Sequence, residues 1–115
     1  MKVISQNKEI SLPIKIDTYD TFFKRSKGLM FRLKPIKNEG ILIAPCNSIH
    51  MFFMFFSIDV VFINKQNEVV FTKEHVKPWT AIFPIKDAYA VLELPVGTIK
   101  HYSINKGNKI ELSVY

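Results

Sequence analysis

The chain has 115 residues, 48% of them hydrophobic and 13% aromatic, with a formal net charge of +6 at pH 7. That length suits one domain over residues 1–115, able to bury roughly two-thirds of its unfolded surface without metal or disulfide staples. The composition excludes a disordered chain. The single cysteine, Cys46, excludes an intrachain disulfide, and the longest apolar run, residues 51–56, is far short of the ~20 residues a membrane-spanning helix needs.

Residues 1–10 alternate polar and apolar side chains and contain no apolar signal-peptide core, so the expected compartment is a reducing cytoplasm. The positive charge comes from 14 Lys and only two Arg. A basic protein of this kind can bind nucleic acid or an anionic lipid surface. Here the lysines are scattered, whereas nucleic-acid readers cluster their charge and grip bases and phosphates with Arg. The charge therefore reads as a solvated surface and argues against nucleic acid as the partner.

In chain order, residues 3–5 and 10–16 read as short strands around a turn at Gln6, Asn7 and Lys8, since Asn tolerates positive φ. One helix follows over residues 19–27. Asp17 or Thr18 is its N-cap, the helix starts at Tyr19 and Gly28 stops it. Phe22 and Phe23 would face the core, while Lys24, Arg25 and Lys27 suit the negative end of the helix dipole. From Gly40 the signal is β. Residues 40–44 form an apolar run stopped by Pro45. Residues 58–63 and 69–72 are β-branched and aromatic and flank a turn over residues 64–68, with Asn67 as its left-handed residue. Residues 88–94 form another strand, ended by Pro95 and Gly97. The last strand, residues 110–114, follows a turn at Lys106, Gly107 and Asn108. Short strands punctuated by turn residues, with one helix, predict a mainly β fold (β-rich α+β), a compact barrel-like or sandwich sheet.

Several residues carry candidate chemistry. Cys46 and His50 could act as nucleophile and base, because a thiolate needs a nearby base or cation to form at neutral pH. The segment follows Pro45 and contains Asn47 and Ser48, so it reads as a loop, and a buried inert cysteine is the competing interpretation. No Cys-x-x-Cys or His-x-x-x-His spacing points to zinc, and no cofactor motif is present. Arg25 and Arg32 stand out in a Lys-rich chain as planar bidentate donors. They suit either a carboxylate or phosphate ligand or a salt bridge to Asp59 or Glu93, which lie in otherwise apolar strands and need partners. Residues 51–56 are apolar on both faces and suit core packing or a pocket wall. Trp79, beyond Pro78, falls in a loop where it could cap the fold or stack on a ligand.

Three segments in register resemble a known family. They are Arg25 with the run Gly28, Leu29, Met30, Phe31, Arg32; the run from Pro45 through His50 and Met54 to Ile58, Asp59, Val60, Val61 and Phe62; and Val91, Leu92, Glu93, Leu94, Pro95 with Gly97 and the run Ile104, Asn105, Lys106, Gly107. Together, from about Ile16 to the end, they resemble the prokaryotic family known as domain of unknown function 192. The resemblance implies a small β-rich fold with a short helix before Gly28, and no activity, substrate or cofactor. Many members resemble exported proteins with signal sequences. Members with the Cys and His form of the middle motif continue His-Thr, then place a basic residue after the Met and a Pro before the Asp-containing strand. Here those positions are Met51, Phe55 and Ser57.

Three functions follow as expectations. The first is a non-enzymatic binding module that holds a small polar ligand or a peptide at the mouth of a barrel-like fold. Arg25, Arg32, Asn47, Asp59, Trp79 and Glu93 would bind the ligand beside Cys46 and His50. The second is a Cys46-dependent enzyme or redox sensor. The third is a basic protein that binds nucleic acid or anionic lipid.

Overall fold

The computed structural model describes residues 1–19, 35–51 and 54–112. The fold is mainly β. Among the described residues ten strands run in order: β1 (Lys2–Ser5), β2 (Lys8–Ser11), β3 (Lys15–Tyr19), β4 (Glu39–Ile43), β5 (Ile49–His50), β6 (Ile58–Ile63), β7 (Val69–Val76), β8 (Ala81–Ile82), β9 (Ala90–Leu94) and β10 (Lys109–Glu111). One short helix among the described residues, α1 (Thr98–His101), lies between β9 and β10.

A five-stranded sheet in the order β3-β4-β9-β6-β7 forms the middle layer. Strand β9 is its centre and is buried along its whole length, which is why residues 90–94 are apolar with one exception, Glu93. Alternation of side chains sends successive residues to opposite faces. Leu42, Val61, Leu92 and Leu94 join one core layer, together with Met1, Val3, Ile99, Ile104 and Ile110 from the β10-β1-β2 sheet and the α1 region. Ile41, Val60, Phe62 and Val91 join the other, beneath Ile49 and Ile82 of the two-stranded β5-β8 ribbon and beside Met51, Met54 and Phe56. The sheets stack in layers and do not close into a barrel.

The hairpins follow their turn residues. Strands β1 and β2 pair antiparallel with Ser5 opposite Lys8, leaving Gln6 and Asn7 as a two-residue loop. Between β6 and β7, Asn67 adopts φ 61°, and the Asn64 side chain organises the turn by accepting from the Gln66 and Glu68 N–H groups at 3.0 and 2.9 Å.

Two expectations change. Asp17, Thr18 and Tyr19 belong to β3, where they pair in parallel with Ile41, Leu42 and Ile43. Pairing with a buried strand outweighs the capping preference of Asp and Thr, and Thr and Tyr themselves favour strands. The rest of the predicted helix, residues 20–27, lies outside the described residues. The segment after β9 is not simply a turn. Gly97, at φ 96°, opens α1, and Ile99 anchors it in the core.

Gly40 meets a demand of the central sheet. A Cβ there would come within 2.7 Å of the Glu93 carbonyl oxygen and 2.9 Å of Leu94 Cδ2, so β4 can approach β9 only without a side chain at this position.

Candidate functional site

The register separates the two buried carboxyls. Asp59 pairs with Leu94 and Val60 with Glu93, so Asp59 and Glu93 point to opposite faces of the same sheet. Both are buried, Asp59 at 0% and Glu93 at 6% exposure, and their surroundings differ completely.

Asp59 sits where β6 begins. Its Oδ1 accepts the His75 N–H at 2.9 Å, and its Oδ2 accepts the N–H groups of Gly97 at 3.1 Å and Ile99 at 3.0 Å. One side chain thus ties β7, the β9–α1 turn and α1 to the start of β6. The bulge in β7 explains the first bond. The β6–β7 register shifts between Ile58 and Val60, so Glu74 and His75 both oppose Asp59, and His75 takes φ 52°. In that conformation the His75 N–H leaves the ladder and would be orphaned without the carboxylate.

Glu93 lies among Ile41, Val60 and Val91 on the opposite face. Among the described residues no hydrogen bond or ion pair reaches its carboxyl. Burial pushes that carboxyl up from the ordinary 4.5 to about 7, because the apolar layer cannot solvate a charge.

The remaining predicted residues do not join these two. Cys46 lies beyond β4, at the far end of the sheet from Asp59, and its N–H donates to the Tyr89 carbonyl at 2.7 Å. Its thiol is half-buried against the second core layer and donates to the Ser48 carbonyl at 2.9 Å. Asn47 is exposed in the same loop, and its carbonyl accepts the Ile85 N–H at 2.8 Å. His50 pairs with Ala81 in the ribbon, and both are exposed, while Ile49 and Ile82 point inward. Trp79, at φ 65° and 56% exposed, lies in the turn from β7 to β8, its backbone N–H bonded to the Met51 carbonyl at 2.7 Å. Arg25 and Arg32 lie outside the described residues.

At the Asp59 end of the sheet there is a cleft of about 610 Å³. One wall is Pro95, Val96 and Thr98 from the β9–α1 turn, with Tyr102 just beyond the helix. A second is Pro35, Ile36, Lys37 and Asn38 leading into β4. Pro13 and Ile14, then Phe56, Ser57 and His75, complete it. Asp59 fixes two of these walls from beneath by holding the backbone of His75 and of the 97–99 turn. The Thr98 hydroxyl is committed to the Pro95 carbonyl at 2.7 Å, which leaves Lys37, Asn38, Ser57, His75 and Tyr102 as the polar side chains at the cleft among the described residues.

Sequence reasoning singled out the residue that braces the cleft, Asp59, but missed the residues that line it. The chemistry of Lys37, Ser57, His75 and Tyr102 is ordinary one residue at a time, and they come from four separate segments. The signals that could have found them were the family-like Asp59 and Gly97 positions, which turn out to be acceptor and donor of one hydrogen bond.

These features define a small layered β protein with an open cleft at one end of its central sheet. The family model DUF192, described as "Uncharacterized ACR", matches residues 2–112, and the chain belongs to that family. The UPF0127 protein of Thermococcus sibiricus is 42% identical over 101 residues, covering 83% of this chain and 64% of that one. The chain thus spans less than two-thirds of that relative's length. The UPF0127 protein of Pyrococcus abyssi is 35% identical over 117 residues, covering 95% of each. Among solved structures, a protein of unknown function from Novosphingobium aromaticivorans superposes with a TM-score of 0.79 at 22% identity, covering 96% of this chain and 81% of that one. One described as a putative transcription regulator from Sinorhizobium meliloti gives 0.82 at 21%, covering 96% and 89%. At such identities the likeness is one of fold.

Proposed function

We propose that this protein is a non-enzymatic binding module that holds a small polar ligand or a short peptide segment in the cleft at the Asp59 end of the sheet. The observation that carries this reading is the use made of Asp59. A fully buried carboxylate is spent on three backbone N–H groups whose positions set the cleft walls at His75 and at residues 97–99. Such an investment in loop geometry pre-forms a site, so little ordering cost falls on binding. Left-handed backbone at Asn38 and His75, on two sides of the cleft, agrees with it, since strained residues gather at functional sites. The cleft volume lies in the range of small-molecule sites.

The test is a screen of short polar organic compounds and short peptides against the isotope-labelled full chain, read by amide chemical shifts. Hits should move the amides of Lys37, Asn38, Ser57, His75, Val96 and Tyr102 together. Binders that move only the Cys46 and His50 region, or no binders at all, would remove the proposal.

A further inference from the structure

We infer that the cleft takes a small organic monoanion, a carboxylate carrying a short apolar tail. The inference rests on the binding reading above and deepens it by naming the ligand class.

Charge is the first argument. Among the described residues that line the cleft none is acidic, and the one full side-chain charge there is the Lys37 ammonium. Asp59, which braces the cleft, does not line it, and both its oxygens are turned to backbone N–H groups of His75, Gly97 and Ile99. Its field is thus met locally by three aligned donors. The chain as a whole carries +6, so the approach to the cleft also favours an anion.

The second argument is the shape of the polar and apolar parts. Ile14, Ile36, Phe56 and Val96, with three prolines, make most of the wall apolar. Ile14, Ile36 and Phe56 are themselves buried, so they are fixed surfaces and not mobile caps. Against them stand a few donors, Lys37, Ser57, His75 and Tyr102. This is the arrangement of a site that reads one polar head and accepts a greasy tail. Lys37, with neutral donors beside it among the described lining residues, suits one negative charge.

Hexanoate, hexanamide and hexylamine form a matched probe set of one tail and three heads. Titrated into the labelled full chain, hexanoate should move the cleft amides, with hexanamide about tenfold weaker and hexylamine silent. Lys37→Glu should weaken hexanoate at least about tenfold, while Lys86→Glu, the same change of charge on an exposed residue outside the cleft, should leave it unchanged. If hexanamide binds the cleft as tightly as hexanoate, or if Lys86→Glu weakens hexanoate as much as Lys37→Glu does, the anion inference falls and the binding reading stands. If neither hexanoate nor any compound of the wider screen touches the cleft, both fall.

Discussion

Asp59 and Glu93 are the same functional group, buried to nearly the same degree in neighbouring strands, yet they face opposite layers and do opposite things. Asp59 is met by three backbone donors and organises the loops at one end of the sheet. Glu93 is met by aliphatic side chains, and its proton becomes harder to remove. A buried carboxyl is therefore not a role in itself. Its role depends on whether the surrounding backbone has N–H groups left over once its own ladders are complete. The β7 bulge and the β9–α1 turn have them. The middle of β9, paired on both sides with β4 and β6, has none to give.

The sharpest way to break that comparison is to remove Asp59. Asp59→Ala leaves three N–H groups, one buried and two part-buried, without their acceptor and should cost about 3–5 kcal/mol in denaturant unfolding, without changing the protein's strand content if it still folds. A loss below about 1 kcal/mol would mean that water replaces the carboxylate and that the loops do not depend on it.

Glu93 supplies the opposite test, through pH. The folded protein holds the Glu93 proton up to about pH 7, whereas the unfolded chain releases it near the ordinary 4.5. Between those values the native state binds more protons than the unfolded state. Stability from this group is therefore full below pH 4.5, falls as pH rises towards 7, and is lost above it. The whole span is about 3 kcal/mol. Glu93→Gln, which keeps the shape and removes the titration, should flatten that slope and be the more stable of the two proteins at pH 8. Thermal melts of both proteins from pH 4 to 8 would show it, and parallel curves would refute it.

A smaller effect tests whether the sheet around Glu93 can give. Gly40→Ala places a methyl group against the Glu93 carbonyl, so β4 must shift away from β9 at a cost of about 1–3 kcal/mol. If the melting temperature does not change, the β4–β9 spacing is softer than the close approach at Gly40 implies.

Much of the fold was legible because it depends on short-range pattern. Residues 58–63 form β6 over that same span, since a β-branched and aromatic run has few other places to go. Asn67 turns left-handed because Asn tolerates it and the hairpin needs it. The misread stretch, Asp17 to Tyr19, carries both a capping signal and a strand signal, and a partner from more than twenty residues later, β4, chose between them. The β5-β8 ribbon is only two residues long on each side, too short to leave a period in the sequence.

The candidate site was legible only in part, for the same reason. Composition and periodicity identified Asp59 and Glu93 as polar residues in apolar strands and marked Cys46 and His50 as chemistry-bearing. They could not place Cys46 at the far end of the sheet from Asp59, or His50 on the outer side of the ribbon. Those are matters of register, and a shift of one residue exchanges the two faces of a strand.

By itself the sequence determined a mainly β chain with an apolar core, its principal turns, and two carboxyls that had to be accounted for. Only the tertiary structure decided what each carboxyl meets. Alternation sets adjacent residues on opposite faces, but which face holds spare N–H groups depends on a bulge, a left-handed glycine and a crossing of strands far apart in the chain. Those long-range contacts satisfied Asp59, left Glu93 in an apolar layer, and opened the cleft between segments that share no local pattern.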